Sequence, residues 1–543
     1  MSYLRNKFPL IIIFIFCILF TLPFYKTGYF TTHDGEWSVI RLSEMVREVK
    51  DLQFPPRWSD YLNHGYGYPL FTFTYPLPYY AGTFLKLINI GLVESVKILF
   101  VLSVFISAFF MYKLGSILRD KTSGLFAALY YLSANYRLVN LYIRGSLGES
   151  LAFIFFPLIF YMAIIYINNP SVWNYLLLSL SLAGLILSHN VMAILFIPFF
   201  MLFYFLYVLH QKRKLNLSAW IKMILPLLQG FGLAAYFFIP ALLEKKYIYL
   251  SQIPLSAIAD NFIKLKDLVY TPWNYGIKPP ISLGIGHSLA LLFILICYLI
   301  FNNKKYKKDF LFNFLIVSLL LLLYLTNINS SLFWKYPPLV WLDFPWRMMG
   351  IIIFIISLLM IYLPKRPILK SIFTFLTIVV LITNLNFVKP STYINKPDSY
   401  YETNDATTTS MDELMPIWVK QKAKNRYISK IEFDDKISAV TNLTYNSKNI
   451  EFNATALSPV MIKINSLFFP GWKFQINGIN TSISIQEPDG VMSLELNQGS
   501  HQIRGRFEET PLRLIADWVS ILSAVFLVIV VRFNKSFFNR HEN

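Results

Sequence analysis

Cysteine is nearly absent. The chain has two in 543 residues, Cys17 and Cys297, both inside apolar runs. That excludes a disulfide framework and a cysteine-based zinc site. Acidic residues are scarce too, 30 Asp and Glu against 49 Lys and Arg, and charged residues make up 15% of the chain. Soluble domains carry about 25%. Several catalytic signatures are missing: the phosphate-cradling Walker loop, the Rossmann glycine pattern, the Gly-x-Ser-x-Gly elbow and His-Glu-x-x-His. The first apolar run also lacks a small-residue cleavage site, because Pro23, Phe24 and Tyr25 end it. It is expected to be a retained helix and not a signal peptide.

What is present is hydrocarbon. Hydrophobic residues make up 55% of the chain, Phe, Tyr and Trp 17%, and the mean hydropathy is +0.50. Apolar runs of about 20 residues recur, the length needed to cross a bilayer core. The expected fold is a polytopic α-helical membrane protein. A formal charge of +19 in such a chain belongs to cytoplasmic loops, and nucleic-acid binding is not expected.

Twelve transmembrane segments are expected, at about 8–25, 94–116, 122–139, 150–167, 173–188, 191–209, 219–240, 284–301, 310–326, 348–363, 368–387 and 512–532. With strict alternation, the basic clusters 212–214, 304–308, 365–366 and 532–540 all fall on the N-terminal side. The positive-inside bias then puts both termini in the cytoplasm of a plasma-membrane protein. In the outer loop 26–92, apolar residues from Trp37 to Val49 recur at helical spacing among Arg41, Glu44, Arg47, Glu48 and Lys50. That pattern predicts an amphipathic helix lying on the membrane surface.

The domain plan is a transmembrane domain over 1–387, an extracytoplasmic region over 388–510, and a last membrane helix with a cytoplasmic tail over 511–543. Within a β-unit expected from about 428, period-two runs such as Trp472-Lys-Phe-Gln-Ile recur from about 436 onward with turn signals at Asn477-Gly478 and Asp489-Gly490. A small C-terminal β-sandwich before the last helix is expected. Trp472 reads either as a sugar-stacking surface or as a buried sandwich tryptophan.

Polar residues sort by side of the membrane. The outer face receives His33, Asp34, Glu36, Arg57, His64, Arg144, Glu149, His189, Glu244, Asp343 and Arg347, many of them at helix ends. Charge beside hydrocarbon is costly unless paired or used. A carboxylate can take a proton from an attacking hydroxyl, and arginine's planar fork binds phosphate oxygens. Asp34 is therefore the candidate catalytic base, and Arg57, Arg144 and Arg347 are candidate donor-phosphate ligands. His33, Glu36, Glu149 and His189 are supporting candidates. Plainer readings stand beside these. Asp34 can be a helix-end charge paired with a cation, Arg144 and Glu149 a salt bridge, His189 an interfacial histidine, and Arg347 a snorkelling side chain.

Several stretches carry a resemblance. They are Thr32-His-Asp-Gly, Phe54-Pro-Pro-Arg-Trp58, Gly65-Tyr-Gly-Tyr-Pro69, Tyr142-Ile-Arg-Gly-Ser-Leu-Gly-Glu149, Leu187-Ser-His-Asn190, the run from Ala235 to Lys245, and Phe344-Pro-Trp-Arg347. The chain resembles the bacterial and archaeal membrane proteins labelled 6-pyruvoyl-tetrahydropterin synthase-related and, more broadly, the GT-C glycosyltransferases. Phe469-Pro-Gly-Trp472 with Asn477-Gly478 is similar to the β-domain that ends many GT-C-like proteins. Pterin chemistry is not implied, because a pterin synthase needs a histidine-bound zinc in a small α/β barrel.

The resemblance implies a GT-C architecture, a lipid-linked donor sugar on polyprenyl phosphate, and a glycan, lipid or protein acceptor at the outer face. Asp34 matches by position the acidic general base of that superfamily. A divalent metal at Asp34, Glu36 and His189 is left open. The alternatives are a transporter or flippase of lipid-linked saccharide, and a non-catalytic protein of envelope glycan assembly.

Overall fold

The computed structural model describes residues 2–211, 217–252, 260–301, 309–342, 344–409 and 411–533. The basic clusters 212–214 and 304–308, Asp343, and the tail residues Lys535 and Arg540 lie outside them. The chain is mostly helical, with a β-region near its C-terminus.

Helix α1 (Ser2–Leu19) leads into the short strand β1 (Tyr29–Phe30) and then α2 (Gly35–Lys50), α3 (Leu70–Phe73) and α4 (Leu77–Leu87). The bundle continues with α5 (Leu92–Leu118), α6 (Lys121–Ser133), α7 (Asn135–Val139), α8 (Leu147–Asn168), α9 (Val172–Ser188), α10 (Asn190–His210) and α11 (Leu217–Leu243). After α12 (Leu265–Val269) come α13 (Ile285–Phe301), α14 (Phe310–Leu325), α15 (Met349–Leu359) and α16 (Pro367–Leu385). Strand β2 (Tyr393–Ile394), the short α17 (Asp398–Glu402) and the β-region precede α18 (Pro511–Arg532).

Among the described residues, six helices are long and apolar enough to cross a membrane, within α5, α8, α10, α11, α16 and α18. A bent pair, Phe310–Leu325 with Ile328–Lys335, raises this to seven, and four shorter apolar helices lie at Lys7–Leu19, Val172–Ser188, Ile285–Ile300 and Pro345–Leu359. The four short ones, together with the 13-residue α6, account for the other stretches that a hydropathy reading takes as spans. Each is largely apolar but, at 10–17 residues, falls short of full bilayer length.

Helix α2 departs from the expected surface helix. Its apolar side buries Val39, Ile40, Leu42, Met45 and Val46, and its polar side buries Glu44 and Glu48. The loop after it covers that polar side: Ser59 donates to Glu48 at 2.5 Å, and Gln53 donates to the Trp58 and Ser447 carbonyls at 3.1 and 3.0 Å. A helix roofed on both sides belongs to the protein interior. Amphipathic periodicity alone cannot tell a lipid headgroup from a protein loop.

The β-region is a two-sheet unit. Strands β3 (Ile431–Glu432), β6 (Val460–Leu467), β10 (Val491–Leu496) and β9 (Ser484–Gln486) form one sheet in the order β3-β6-β10-β9. Strands β4 (Ile437–Tyr445), β5 (Asn449–Ala456), β11 (Gly499–Phe507), β7 (Trp472–Ile476) and β8 (Ile479–Thr481) form the other in the order β4-β5-β11-β7-β8. Asn477 and Gly478 join β7 to β8 with φ of 51° and 83°, the left-handed pair that a two-residue hairpin needs.

Trp58, fully buried, plugs this unit into the bundle, with ring centroids 5.8 Å from Trp472 and 5.4 Å from Phe507. Trp472 is 4% exposed, so it is core and offers no face to a sugar. Arg513, at the start of α18, pairs at 2.8 Å with Glu244 at the end of α11, and both are buried.

Candidate functional site

The site starts where α6 and α7 end. Residues Asn140–Arg144 form one wide π-type turn, closed by Gly145 in the left-handed conformation at φ 64°. The turn lines up Asn140 and Arg144 on the side facing Glu149, in the first turn of α8. Such turns re-aim side chains that a regular helix would point elsewhere. Arg144 donates to Glu149 at 2.5 Å and makes a short contact with the Asn140 side-chain oxygen. Glu149 also accepts from Asn140 at 3.2 Å and from the Tyr136 hydroxyl. The Arg144 guanidinium lies 4.6 Å from the centre of the Trp346 ring. Burial works against the Arg144 charge, but Glu149, Tyr136 and Asp34 outweigh it and raise its pKa above the ordinary arginine value.

The loop before α2 docks on this turn by its backbone. The His33 N–H donates to the Ile143 carbonyl at 2.9 Å and the Asp34 N–H to the Arg144 carbonyl at 2.7 Å. Thr32 accepts from the Gly35 N–H at 3.0 Å. Asp34 is the N-cap of α2, yet its carboxylate does not cap the helix. Among the described residues it forms no side-chain hydrogen bond or ion pair. It is half-buried and its charge acts on Arg144 and Tyr75.

A Cβ at Gly145 would overlap the Thr32 hydroxyl and come within 2.8 Å of Gly35 N. Gly145→Ala is therefore expected to cost about 1–3 kcal/mol through left-handed strain and to push the Asp34 loop off its seat. Thermal unfolding of the purified variant checks the first effect.

His189 caps α10, its Nδ1 accepting from the Met192 N–H at 3.2 Å, which leaves the proton of the neutral ring on Nε2. Its ring stacks on Tyr75 at 4.9 Å. Burial, then the positive charges of Arg347 and Arg144, push its pKa down to about 3. An unfolded histidine takes up its proton near 6.5. Between those values the unfolded state holds more protons, so stability falls as pH drops from about 6.5 toward about 3. His189→Gln is expected to flatten this acid limb while lowering the plateau, which Tm measured at pH 5 and pH 7 would reveal.

Arg347 is half-buried, with its guanidinium 5.0 Å from the Phe344 ring and 5.7 Å from the Trp346 ring. Its charge acts on His189, Glu149 and Tyr75. Asp34, Arg144, Glu149, His189 and Arg347 thus converge at one end of the bundle.

The remaining candidates sit elsewhere. Arg57 is corrected to a fastener: it is 1% exposed, and its guanidinium donates to Glu509 at 3.1 Å, the Tyr236 carbonyl at 2.8 Å and Asp517 at 2.9 Å. With every nitrogen engaged, it holds α18 and leaves no face for a phosphate. Glu36 pairs with Lys396 at 3.1 Å, and His33 Nε2 is 3.0 Å from the Gly276 carbonyl. Both anchor neighbouring segments. Among the described residues, no group of three or more His, Cys, Asp and Glu is arranged to hold a metal ion.

Sequence reasoning passed over Asn140, Tyr136, Tyr75 and Trp346. The four-residue spacing of Asn140 and Arg144 was the available signal, and it becomes telling only once the turn between them is known to be widened.

No protein-family profile matches this chain. An uncharacterized protein of Lactococcus lactis subsp. cremoris (strain MG1363) is 30% identical over 313 residues, 56% of this chain. The chain spans about half the length of this curated relative, 50% of which is covered.

Proposed function

We propose that this protein is a membrane glycosyltransferase of GT-C type. It moves a sugar from a polyprenyl-phosphate-linked donor to an acceptor at the outer face of the plasma membrane, and Asp34 is the general base. One observation carries the reading. Asp34 presents a half-buried carboxylate without a described polar partner; its charge acts on Arg144, and Arg347 acts with it on Tyr75. A structural helix-end acid would be capped or paired. A base must be open to the hydroxyl it deprotonates.

In this mechanism Asp34 takes the acceptor proton as the hydroxyl attacks the anomeric carbon, and the phosphate departs with the bonding electrons. Arg144 and Arg347 offset the charge of the departing phosphate, Arg144 being held in place by Glu149 and Asn140. Glu149 and His189 position these groups. The topology that goes with this reading has twelve crossings, cytoplasmic termini and the β-unit outside.

A flippase is the competing class. Charges gathered at one end of the bundle favour chemistry there over passage through the middle, where transporters place their sites. Purified protein in proteoliposomes, given a polyprenyl-phosphate sugar and mixed acceptors, separates the two. Transfer consumes the donor, whereas flipping moves it intact between leaflets. Donor that changes leaflet and is never consumed would contradict the proposal.

A further inference from the structure

Beside the Asp34 loop, a cavity of about 700 Å³ opens between the ends of α1 and α16. Leu19, Leu22, Leu385 and Val388 line its apolar part and Lys26 and Lys389 its charged part, with no carboxylate among the lining residues. Tyr275 closes the side toward Asp34, where the neighbouring Gly276 carbonyl lies 3.0 Å from His33 Nε2.

The walls are pinned by two tyrosines. The Tyr275 hydroxyl donates to the Lys389 carbonyl at 2.5 Å, and the Tyr393 hydroxyl donates to the Pro23 carbonyl at 2.9 Å. Strand β1 holds Tyr393 in place by pairing it with Phe30. The Lys26 ammonium lies 5.4 Å from the centre of the Tyr393 ring, so it stands at the cavity wall. Among the described residues, neither Lys26 nor Lys389 forms an ion pair.

The apolar lining continues down both helices. Ile11, Ile15 and Leu19 follow one another at four-residue spacing and share one row of α1. Ile11 and Ile15 are 46% and 49% exposed. On α16, Ile378 and Ile382 precede Leu385 by seven and three residues, which puts them on its side of the helix. They are 49% and 59% exposed. Two apolar tracks thus lead away from one cationic end. Lys26 and Lys389 stand seven and four residues beyond the last residues of α1 and α16, where hydrocarbon gives way to headgroups. Lysines at that level attract anionic lipid. A free anion would need only the lysines, and a single-chain lipid only one track.

We propose that this cavity binds an anionic, two-chain phospholipid, with its phosphate between Lys26 and Lys389 and one acyl chain along each of α1 and α16. The site needs neither a donor sugar nor Asp34. The test uses full-length protein in nanodiscs of phosphatidylcholine with phosphatidylglycerol, and lipid retention is read by native mass spectrometry after extraction. Wild-type protein is expected to retain phosphatidylglycerol in preference to phosphatidylcholine. Lys26→Gln/Lys389→Gln, both exposed positions, should lower that retention at least about tenfold, as the loss of two headgroup attractions implies. Leu22→Trp, also exposed, keeps every charge and fills the cavity, and it should cause a similar loss. Full retention in either variant would overturn the site. So would displacement of the lipid by inorganic phosphate alone, which would mark a free-anion site, or by an equal amount of polyprenyl phosphate, which would mark a single-chain site.

Discussion

Glu149→Ala is expected to destabilise the fold by about 3–5 kcal/mol, the usual consequence of removing one partner of a buried ion pair. Glu149 is fully buried and Arg144 nearly so, 2.5 Å apart. Without the carboxylate, the guanidinium keeps, among the described residues, the Asn140 oxygen, the Trp346 ring and the more distant charge of Asp34, and the Tyr136 hydroxyl loses its acceptor. The cost arises from the stranded charge more than from the lost attraction. Arg144→Met/Glu149→Leu, which removes both charges, is therefore expected to be more stable than Glu149→Ala alone. Tm of the detergent-purified variants gives the comparison. A Glu149→Ala protein as stable as wild type would mean that the pair is open to water and that the turn at Asn140–Arg144 is not held as described.

The helices were legible and the site only partly so. The run from Leu151 to Ile167 is apolar on every side, and such a run reads the same way in any context. The strands were legible because period two and the Asn477-Gly478 turn are local signals. What one stretch cannot reveal is what lies against another. Trp58 reads as an interfacial aromatic until Trp472, Phe469 and Phe507 are seen around it. Arg57 reads as a phosphate ligand until Asp517 and Glu509, far along the chain, take its hydrogen bonds. Asp34 could be singled out because charge where the chain leaves the membrane is rare in so apolar a protein. Its lack of a partner became visible only in three dimensions.

Asp34→Asn is expected to lower sugar transfer by about 10²–10⁴-fold, the range that general-base catalysis contributes. The substitution keeps the size of the side chain and the backbone hydrogen bond to Arg144, and it removes the negative charge and with it the ability to accept a proton. Glu149 cannot substitute, because Arg144, Asn140 and Tyr136 already occupy it. The fold should be nearly indifferent, within about 0.5 kcal/mol, as for changes that break no packing or hydrogen bond. Donor binding should persist too, since the arginines are intact. The most direct measurement compares wild-type and Asp34→Asn protein in the same proteoliposomes, following release of polyprenyl phosphate from its sugar-linked form. The mechanism predicts turnover by wild type, at most about 1% of it by the variant, and equal Tm for both. Equal turnover by the two proteins would contradict it.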